Sequence, residues 1–353
     1  MVEFVVTVPE DTPGPVFLAG DGPVLGDWSA AGVLLDWCAD NTYRATLDLP
    51  PGFRGRFLIT RGRWREAEND GDGRELLPRE LHVDSLRTRE VHVRGWGRNS
   101  IDYHTDYVSH FLLHPRTVSV WRPPGYDREP ERLPVFYMHD GQNLFDAHTA
   151  FAGNPWRADE VAEREVRAGR VLPIMIVGVA NTPDRVEEYG PRREPTQDRS
   201  RDYGRFLVEE LKPFIDACYR TRSEPEHTGI GGSSMGGLIS LHLCQWYPDV
   251  FGRCAAMSPS LWWDREYFLR SLKRSPEWLN RCRVWLDVGD RESGTRSDAD
   301  ATLRRVRRLA QIFARHGLRE GEQFRHLEVP GATHNEAAWS SRFDQVLRFL
   351  FGK

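Results

Sequence analysis

An α/β domain built on a doubly wound, mostly parallel sheet, preceded by a small all-β sandwich, is the architecture this sequence predicts. Two observations carry it. From about residue 108 onward, wholly apolar runs alternate with amphipathic stretches, the pattern of strands covered by helices on both faces. Before residue 95 the runs are short, alternate between apolar and polar residues, and are separated by Gly, Pro, Asp and Asn, which suits antiparallel strands with one buried face. At 353 residues the chain is long enough for two cores, since one core usually serves about 100–200 residues.

Taken in order, "EFVVTV", "PVFLAG", "YRATLDL", "GRFLIT" and "REVHVRG" predict an immunoglobulin-like sandwich over residues 1–95. The stretch "GWGRNSIDYHTDY" is polar and reads as a crossing, which puts a linker at 96–107 and the α/β domain at 108–353. There the expected strands are "LPVFYMHD", "LPIMIVGVAN", "EHTGIGGSS", "RCAAMSPS" and "CRVWLDVGD". Between them lie helical patterns such as "RDYGRFLVEELKPFIDACYR" and "DADATLRRVRRLAQIFARHG".

Composition excludes several classes of function. Hydrophobic residues make up 39% and charged residues 28%, a globular balance. A formal net charge of -4 gives no field that would gather nucleic acid or an anionic membrane. Lysine occurs only at Lys212, Lys273 and Lys353, but the arginines that replace it are scattered and balanced by acids, so they define no phosphate site. Five cysteines without a CxxC spacing argue against a disulfide framework or a thiolate zinc site. The first residues, "MVEFVVTVPEDTPG", show no secretory pattern, and no apolar run approaches the ~18 residues of a membrane span, so a cytoplasmic protein is expected.

The chemistry centres on "GIGGSSMGG", residues 229–237. A strand precedes it and a helical pattern follows, so the glycines mark a strand-to-helix turn. Gly232-Ser233-Ser234-Met235-Gly236 matches G-x-S-x-G centred on Ser234; centring on Ser233 would put Met235 in the second glycine's place. Glycines are needed because side chains in so sharp a turn would strike the strand or the helix. Downstream, "RVWLDVGDRE" ends a strand in carboxylates, with Asp287, Asp290 and Glu292 as candidates, and "VPGATHNEAAW" places His334 in a Gly-rich loop. Nucleophile, acid, histidine is the chain order of α/β-hydrolases. The imidazole would take the serine proton as the oxygen attacks an acyl carbon, and the carboxylate would orient the imidazole. The elbow offers the Met235 N–H to the oxyanion. Metal binding by His139, Asp140 and His148 lacks any ligand spacing such as HExxH, and no cofactor is expected.

Seven spaced motifs, "LPVFYMHDGQNLFD", "VGVANTPDRVEEY", "FLVEELKPFID", "GGSSMGG", "YPDVFG", "SPSLWW" and "PGATHNEAAW", together resemble the esterase D family of α/β-hydrolases across most of residues 108–351. The resemblance is strongest to its branch of enterochelin, related siderophore and feruloyl esterases. It implies a triad acid in a G-x-x-[DE] pattern, which Gly289-Asp290-Arg291-Glu292 places at Glu292, with Asp290 as the alternative. It also implies a second oxyanion donor after Asp-Gly, here Gln142, and a substrate-side loop containing Arg185, Glu188 and Tyr189. Of the adjacent Trp262 and Trp263, one can pack inward while the other lines a pocket. The implied substrate is a small ester such as a ferric catecholate trilactone.

"VFLAGDGPVLGDWSAAGVLLDW" and "YRATLDLPPGFRGRFLITRGRW" resemble a starch-binding-type carbohydrate-binding module over about 80 residues. Trp28 is expected in its core and Trp64 is the candidate for an exposed, sugar-stacking platform. The resemblance equally fits the sandwich that precedes the catalytic domain in enterochelin esterases and shapes their substrate site. Two alternatives stay open at this level: a feruloyl or acetyl esterase of carbohydrate-linked esters, and a carbohydrate-binding scaffold whose hydrolase domain is inactive.

Overall fold

The computed structural model describes every residue except 13, 85–86, 98–99, 195–197, 273–275 and 294. The N-terminal region contains β1 (Val2–Thr7), β2 (Val16–Gly20), β3 (Val33–Ala39), β4 (Thr42–Leu47), β5 (Phe53–Thr60), β6 (Glu68–Asn69), β7 (Arg79–Val83), β8 (Thr88–His92) and β9 (Gly95–Trp96). Seven of these form one continuous sheet in the order β7-β5-β2-β3-β4-β1-β8, and β6 pairs with β9 apart from it. The sheet folds over at β3, which pairs with β2 through Leu35 and with β4 from Asp36 onward. Phe4 on β1 meets Phe57 on β5 edge to face, with ring centroids 5.4 Å apart, although three strands separate them in the sheet. Only two facing layers allow that contact. The alternating pattern places Val2, Phe4 and Val6 inward with Leu18, Ile59 and Leu81.

The second sheet holds β10 (Ile101–Tyr107), β11 (Arg116–Trp121), β12 (Val135–His139), β13 (Met175–Val179), β14 (Thr228–Ser233), β15 (Arg253–Met257), β16 (Arg283–Arg291) and β17 (Phe324–Thr333), in the order β10-β11-β13-β12-β14-β15-β16-β17. The six strands from β13 to β17 run parallel, and β11 joins them antiparallel to β13. Helices cover both faces. One layer includes residues 235–246 and 296–315, and the other includes residues 158–167 and 343–351. This is the α/β-hydrolase architecture the sequence predicts. Among the described residues, no helix is long and apolar enough to cross a membrane.

Residues 101–107, expected within a linker, form the outer strand β10 paired with β11. Their polarity misled because an edge strand on a half-exposed face needs few apolar residues. The helix expected from residue 201 is realised as residues 200–205 and 212–218 joined by a π-helical stretch, Phe206–Leu211, just before Pro213. A proline inside a helix displaces the carbonyl four residues back, and a widened turn accommodates it.

Chain order also locates the crevice. The chain leaves β12 for β13 on one side, then returns to build β14 on the other side of β12. Loops leaving β12 and β14 therefore diverge at this reversal, where ligands of open α/β sheets bind.

The sandwich is fastened to the second domain through its tryptophans. Trp64 is 1% exposed, so the expected sugar platform is ruled out there. It packs at 6.1 Å from Trp28, also buried, and the Arg167 guanidinium lies 4.7 Å from its ring centre. Arg167 pairs with Glu163 beside it and with Glu75 across the seam, at 2.7 and 2.8 Å. A cation desolvated against two indoles gains cation–π attraction that would be small in water. Trp37 is the sandwich tryptophan that faces solvent, at 66% exposure.

At the same seam the Trp64 N–H donates to Glu160 Oε1 at 3.0 Å. Burial, reinforced by the neighbouring Asp159, pushes the Glu160 carboxyl up to about 8. The folded protein thus keeps a proton that the unfolded chain releases near the ordinary glutamate value. Stability from this group is full below that value and is lost as pH rises through about 8. Glu160→Gln retains an acceptor for the Trp64 amide and cannot ionise. It should melt higher than the wild type at about pH 9 and decline less from about pH 6 to pH 9. Parallel declines of the two proteins in thermal melts would contradict the seam assignment.

Candidate active site

The strand-to-helix turn around Ser234 is built from close packing. A Cβ on Gly231 would lie 2.7 Å from the Ala255 Cβ, and one on Gly232 or Gly236 would lie 3.2 Å from the His139 Cβ. Residues without side chains let the helix 235–246 start directly beside the end of β12. Ser234 between them adopts φ 57° and ψ -120°, a conformation that costs a non-glycine residue about 1–3 kcal/mol. Its amide donates to the Met257 carbonyl and its carbonyl accepts from the Ser260 amide, each at 3.0 Å. Ser233, by contrast, closes β14 opposite Met257 and is buried.

His334 and Glu292 meet this serine. His334 Nε2 is 2.9 Å from Ser234 Oγ, and His334 Nδ1 is 2.8 Å from Glu292 Oε2. The acid on the histidine is therefore Glu292. Asp290 is turned away and accepts the Gly331 N–H at 2.6 Å, which ties down the loop leading to His334. Asp287 is fully buried and accepts the Ser258 N–H at 3.2 Å, the service to loop amides that its place inside a strand suggests. Burial alone would raise the Glu292 carboxyl, but hydrogen bonds from His334, Ser258 and the Gly289 N–H outweigh it and hold the group below the ordinary glutamate value. It stays ionised next to the imidazole.

Met235 is the first residue of its helix, so its N–H has no acceptor one turn back. Gln142 lies in the short helical turn Gly141–Asn143 that leaves β12. A Cβ on Gly141 would stand 2.4 Å from the Gly178 carbonyl carbon, so only glycine lets this turn seat against β13. The Gln142 side chain accepts the Asn181 N–H at 3.1 Å and is thereby turned toward the β13 loop.

Arg185 grips Asp140 with two hydrogen bonds of 2.7 and 2.8 Å, and Asp140 also accepts from Asn181 at 2.6 Å. The guanidinium edge that would clamp a substrate anion is already taken by Asp140. Glu188 and Tyr189, expected on a substrate-side loop, are both buried. Glu188 pairs bidentately with buried Arg116 at 2.7 and 3.1 Å, and Tyr189 packs between His139 and Tyr203. The buried cation on β11 requires that carboxylate inside. The two tryptophans divide as their adjacency suggests. Trp263 donates to the Pro191 carbonyl at 3.1 Å and lies beneath Arg192, whereas Trp262 is 51% exposed. Together with Ser260, Glu292 and His334, Trp262 lines a cavity of about 400 Å³. A larger cavity, about 610 Å³, opens beside Arg122 and Tyr126 and contains none of these residues.

Sequence reasoning missed Ser260, whose Oγ is 3.3 Å from Ser234 Oγ, and Ser258, which bonds to Glu292. Their signal was present in "SPS" directly after β15, the strand next to the elbow. Among the described residues, no cluster of three or more His, Cys, Asp or Glu side chains could hold a metal ion, and the five cysteines are free.

A serine in a sharp strand-to-helix turn, a histidine and a carboxylate thus meet at the C-terminal edge of a sheet with the α/β-hydrolase fold. Residues 109–350 match a family described as "Putative esterase", and the chain belongs to that esterase family. Among curated proteins it is similar to the Bacillus subtilis protein YbbA, with 24% identity over 67% of this chain and 93% of that one. It is also similar to the ferri-bacillibactin esterase BesA of Bacillus subtilis, 23% identical over 56% of this chain and 73% of the relative. The iron(III) salmochelin esterase of Escherichia coli is 29% identical over 62% of this chain and 52% of its own length. Among solved structures, the enterobactin esterase FES of Shigella flexneri, determined with enterobactin, aligns with a TM-score of 0.56 and 15% identity. That alignment covers 99% of this chain and 92% of the other, so the likeness of fold includes the sandwich.

The geometry ranks the acids. Glu292→Gln should lower turnover of p-nitrophenyl butyrate by ~10⁴-fold, the scale of a lost triad acid, whereas Asp290→Asn should stay within about tenfold of the wild type. A crippled but thermally normal Asp290→Asn beside an active Glu292→Gln would reverse the assignment.

Proposed function

We propose that this protein is a serine esterase in which Ser234 is the nucleophile, His334 the general base and acid, and Glu292 the carboxylate that orients it. The observation carrying this reading is the unbroken hydrogen-bonded line from Ser234 through His334 to buried Glu292. As Ser234 Oγ attacks the ester carbon, its proton passes to His334 Nε2, and Glu292 stabilises the imidazolium without taking the proton. Negative charge gathers on the former carbonyl oxygen, toward the N–H groups of Met235 and Gln142. His334 then hands the proton to the departing alcohol oxygen as the C–O bond breaks. Water, activated by the same imidazole, attacks the acyl-serine and releases the acid and Ser234. The sum is ester plus water to acid plus alcohol, with no cofactor.

The substrate we favour is an ester-linked siderophore, such as a ferric catecholate trilactone, with the iron as cargo. Relatives named as siderophore esterases support this, and so does the two-domain likeness to an enterobactin esterase. Exposed Trp262 beside the triad offers a flat face to an aromatic acyl group. A second reading is a feruloyl esterase, favoured by similarity to a ferulic acid esterase with a TM-score of 0.54 over 71% of this chain. Burial of Trp64 removes one support for sugar targeting.

Rates on a ferric catecholate trilactone, a feruloylated arabinose and p-nitrophenyl butyrate separate these readings. The trilactone should give the highest kcat/KM, and Ser234→Ala should abolish turnover of all three by ~10⁶-fold while Ser233→Ala remains active. A preference for the feruloylated sugar would replace the siderophore by the carbohydrate ester. Equal losses in the two serine variants would remove the elbow assignment.

A further inference from the structure

Behind Glu292, on the side away from His334, the direction of one hydroxyl is dictated by its neighbours. Ser258 is the first residue after β15 and has φ 44°. Its oxygen lies against Glu292 Oε1. That oxygen also receives the Trp339 Nε1–H and an Arg342 Nη2–H, each at 3.0 Å. A hydroxyl has two lone pairs and one proton, whereas an indole N–H and a guanidinium can only donate. Both lone pairs of Ser258 are therefore occupied. Its proton is left for the carboxylate.

Arg342 is itself fixed. It is 2% exposed and donates to Asp287 Oδ1 at 2.7 Å and to the Ala338 carbonyl at 2.7 Å. The other Asp287 oxygen accepts the Trp285 Nε1–H at 2.6 Å. A paired buried cation with this many partners cannot turn without leaving charges unsatisfied, so the donors on Ser258 keep their places.

We infer that Ser258 is a positioning residue for the triad acid: held by Trp339 and by the buried Arg342–Asp287 pair, its hydroxyl donates to Glu292 Oε1 and leaves Oε2 to face His334. The inference rests on the assignment of Ser234, His334 and Glu292 as a triad. Glu292 Oε1 also accepts the Gly289 N–H at 2.7 Å. Two donors on one oxygen fix the carboxylate plane, and the orientation of the imidazole follows from it. One donor alone would act as a pivot. Ser258 borders the cavity that holds Trp262, but its hydroxyl proton is committed to Glu292, so its loss should lower kcat and spare KM.

The test is a double-mutant cycle on p-nitrophenyl butyrate with Ser258→Ala, Glu292→Gln and the pair. Ser258→Gly serves as a second removal of the hydroxyl, because glycine adopts φ 44° without strain. Both Ser258 variants should lose about 10- to 100-fold in kcat, the scale of a hydrogen bond to a charged group, with KM within about twofold of the wild type. In the Glu292→Gln background, Ser258→Ala should cost no more than about twofold further, because its effect passes through the carboxylate. Ser258 variants as fast as the wild type, or losses that multiply in the double variant, would overturn the positioning role while a crippled Glu292→Gln leaves the triad standing. A Glu292→Gln enzyme of wild-type rate would overturn the triad reading, and the inference with it.

Discussion

The backbone of Ser234 is the constraint from which the candidate site is arranged. A serine at φ 57° and ψ -120° projects its hydroxyl from the tip of a turn, and that conformation persists only where the surroundings enforce it. Glycines at 231, 232, 236 and 237 let the neighbouring strand, the helix and His139 close around the turn. Hydrogen bonds to Met257 and Ser260 tie it to the loop after β15. The same loop carries Ser258, so the Ser234 turn and the hydroxyl against Glu292 are two ends of one short segment.

Electrostatics then decide what the site can do. Glu292 is buried, and burial favours the neutral acid. Donors from three different elements reverse that preference and keep a carboxylate behind the imidazole. At the domain seam the balance falls the other way: burial, with Asp159 adding to it, pushes Glu160 up to about 8. Two desolvated glutamates in one chain thus shift in opposite directions because three donors meet Glu292, whereas Glu160 has one backbone donor and a like charge beside it. The seam also gives the sandwich a structural attachment through Trp28, Trp64 and Arg167, so Trp64 holds the domains together where a sugar platform was expected.

Much of this was legible in the sequence because local pattern specified it. The buried strands β12 to β16 announce themselves as apolar runs, and a glycine-rich elbow needs its residue types at fixed spacing. The pairing of Glu292 and not Asp290 with His334 required the path of the β16 exit loop, which spacing alone left open. Strand β10 was hidden because an edge strand can be polar. Trp64 reads alike on a surface or in a seam, since an aromatic carries no mark of what will cover it. The Ser258–Arg342–Asp287 network was out of reach altogether: its members lie 55 and 84 residues apart along the chain and meet only through the fold. Glu188 and Tyr189 looked like binding residues because the cation that draws Glu188 inward, Arg116, sits 72 positions earlier on another strand.

In the proposed reaction Ser234, activated by His334, attacks the acyl carbon. Mapping the site of a fluorophosphonate label by peptide mass spectrometry tests it most directly, because the reagent bonds only to an activated nucleophile and reports which one. A single adduct on Ser234 is expected, formed rapidly in the native protein and absent from the unfolded chain. Labelling at Ser233 or Ser260 in its place, or no labelling of the folded protein, would contradict it.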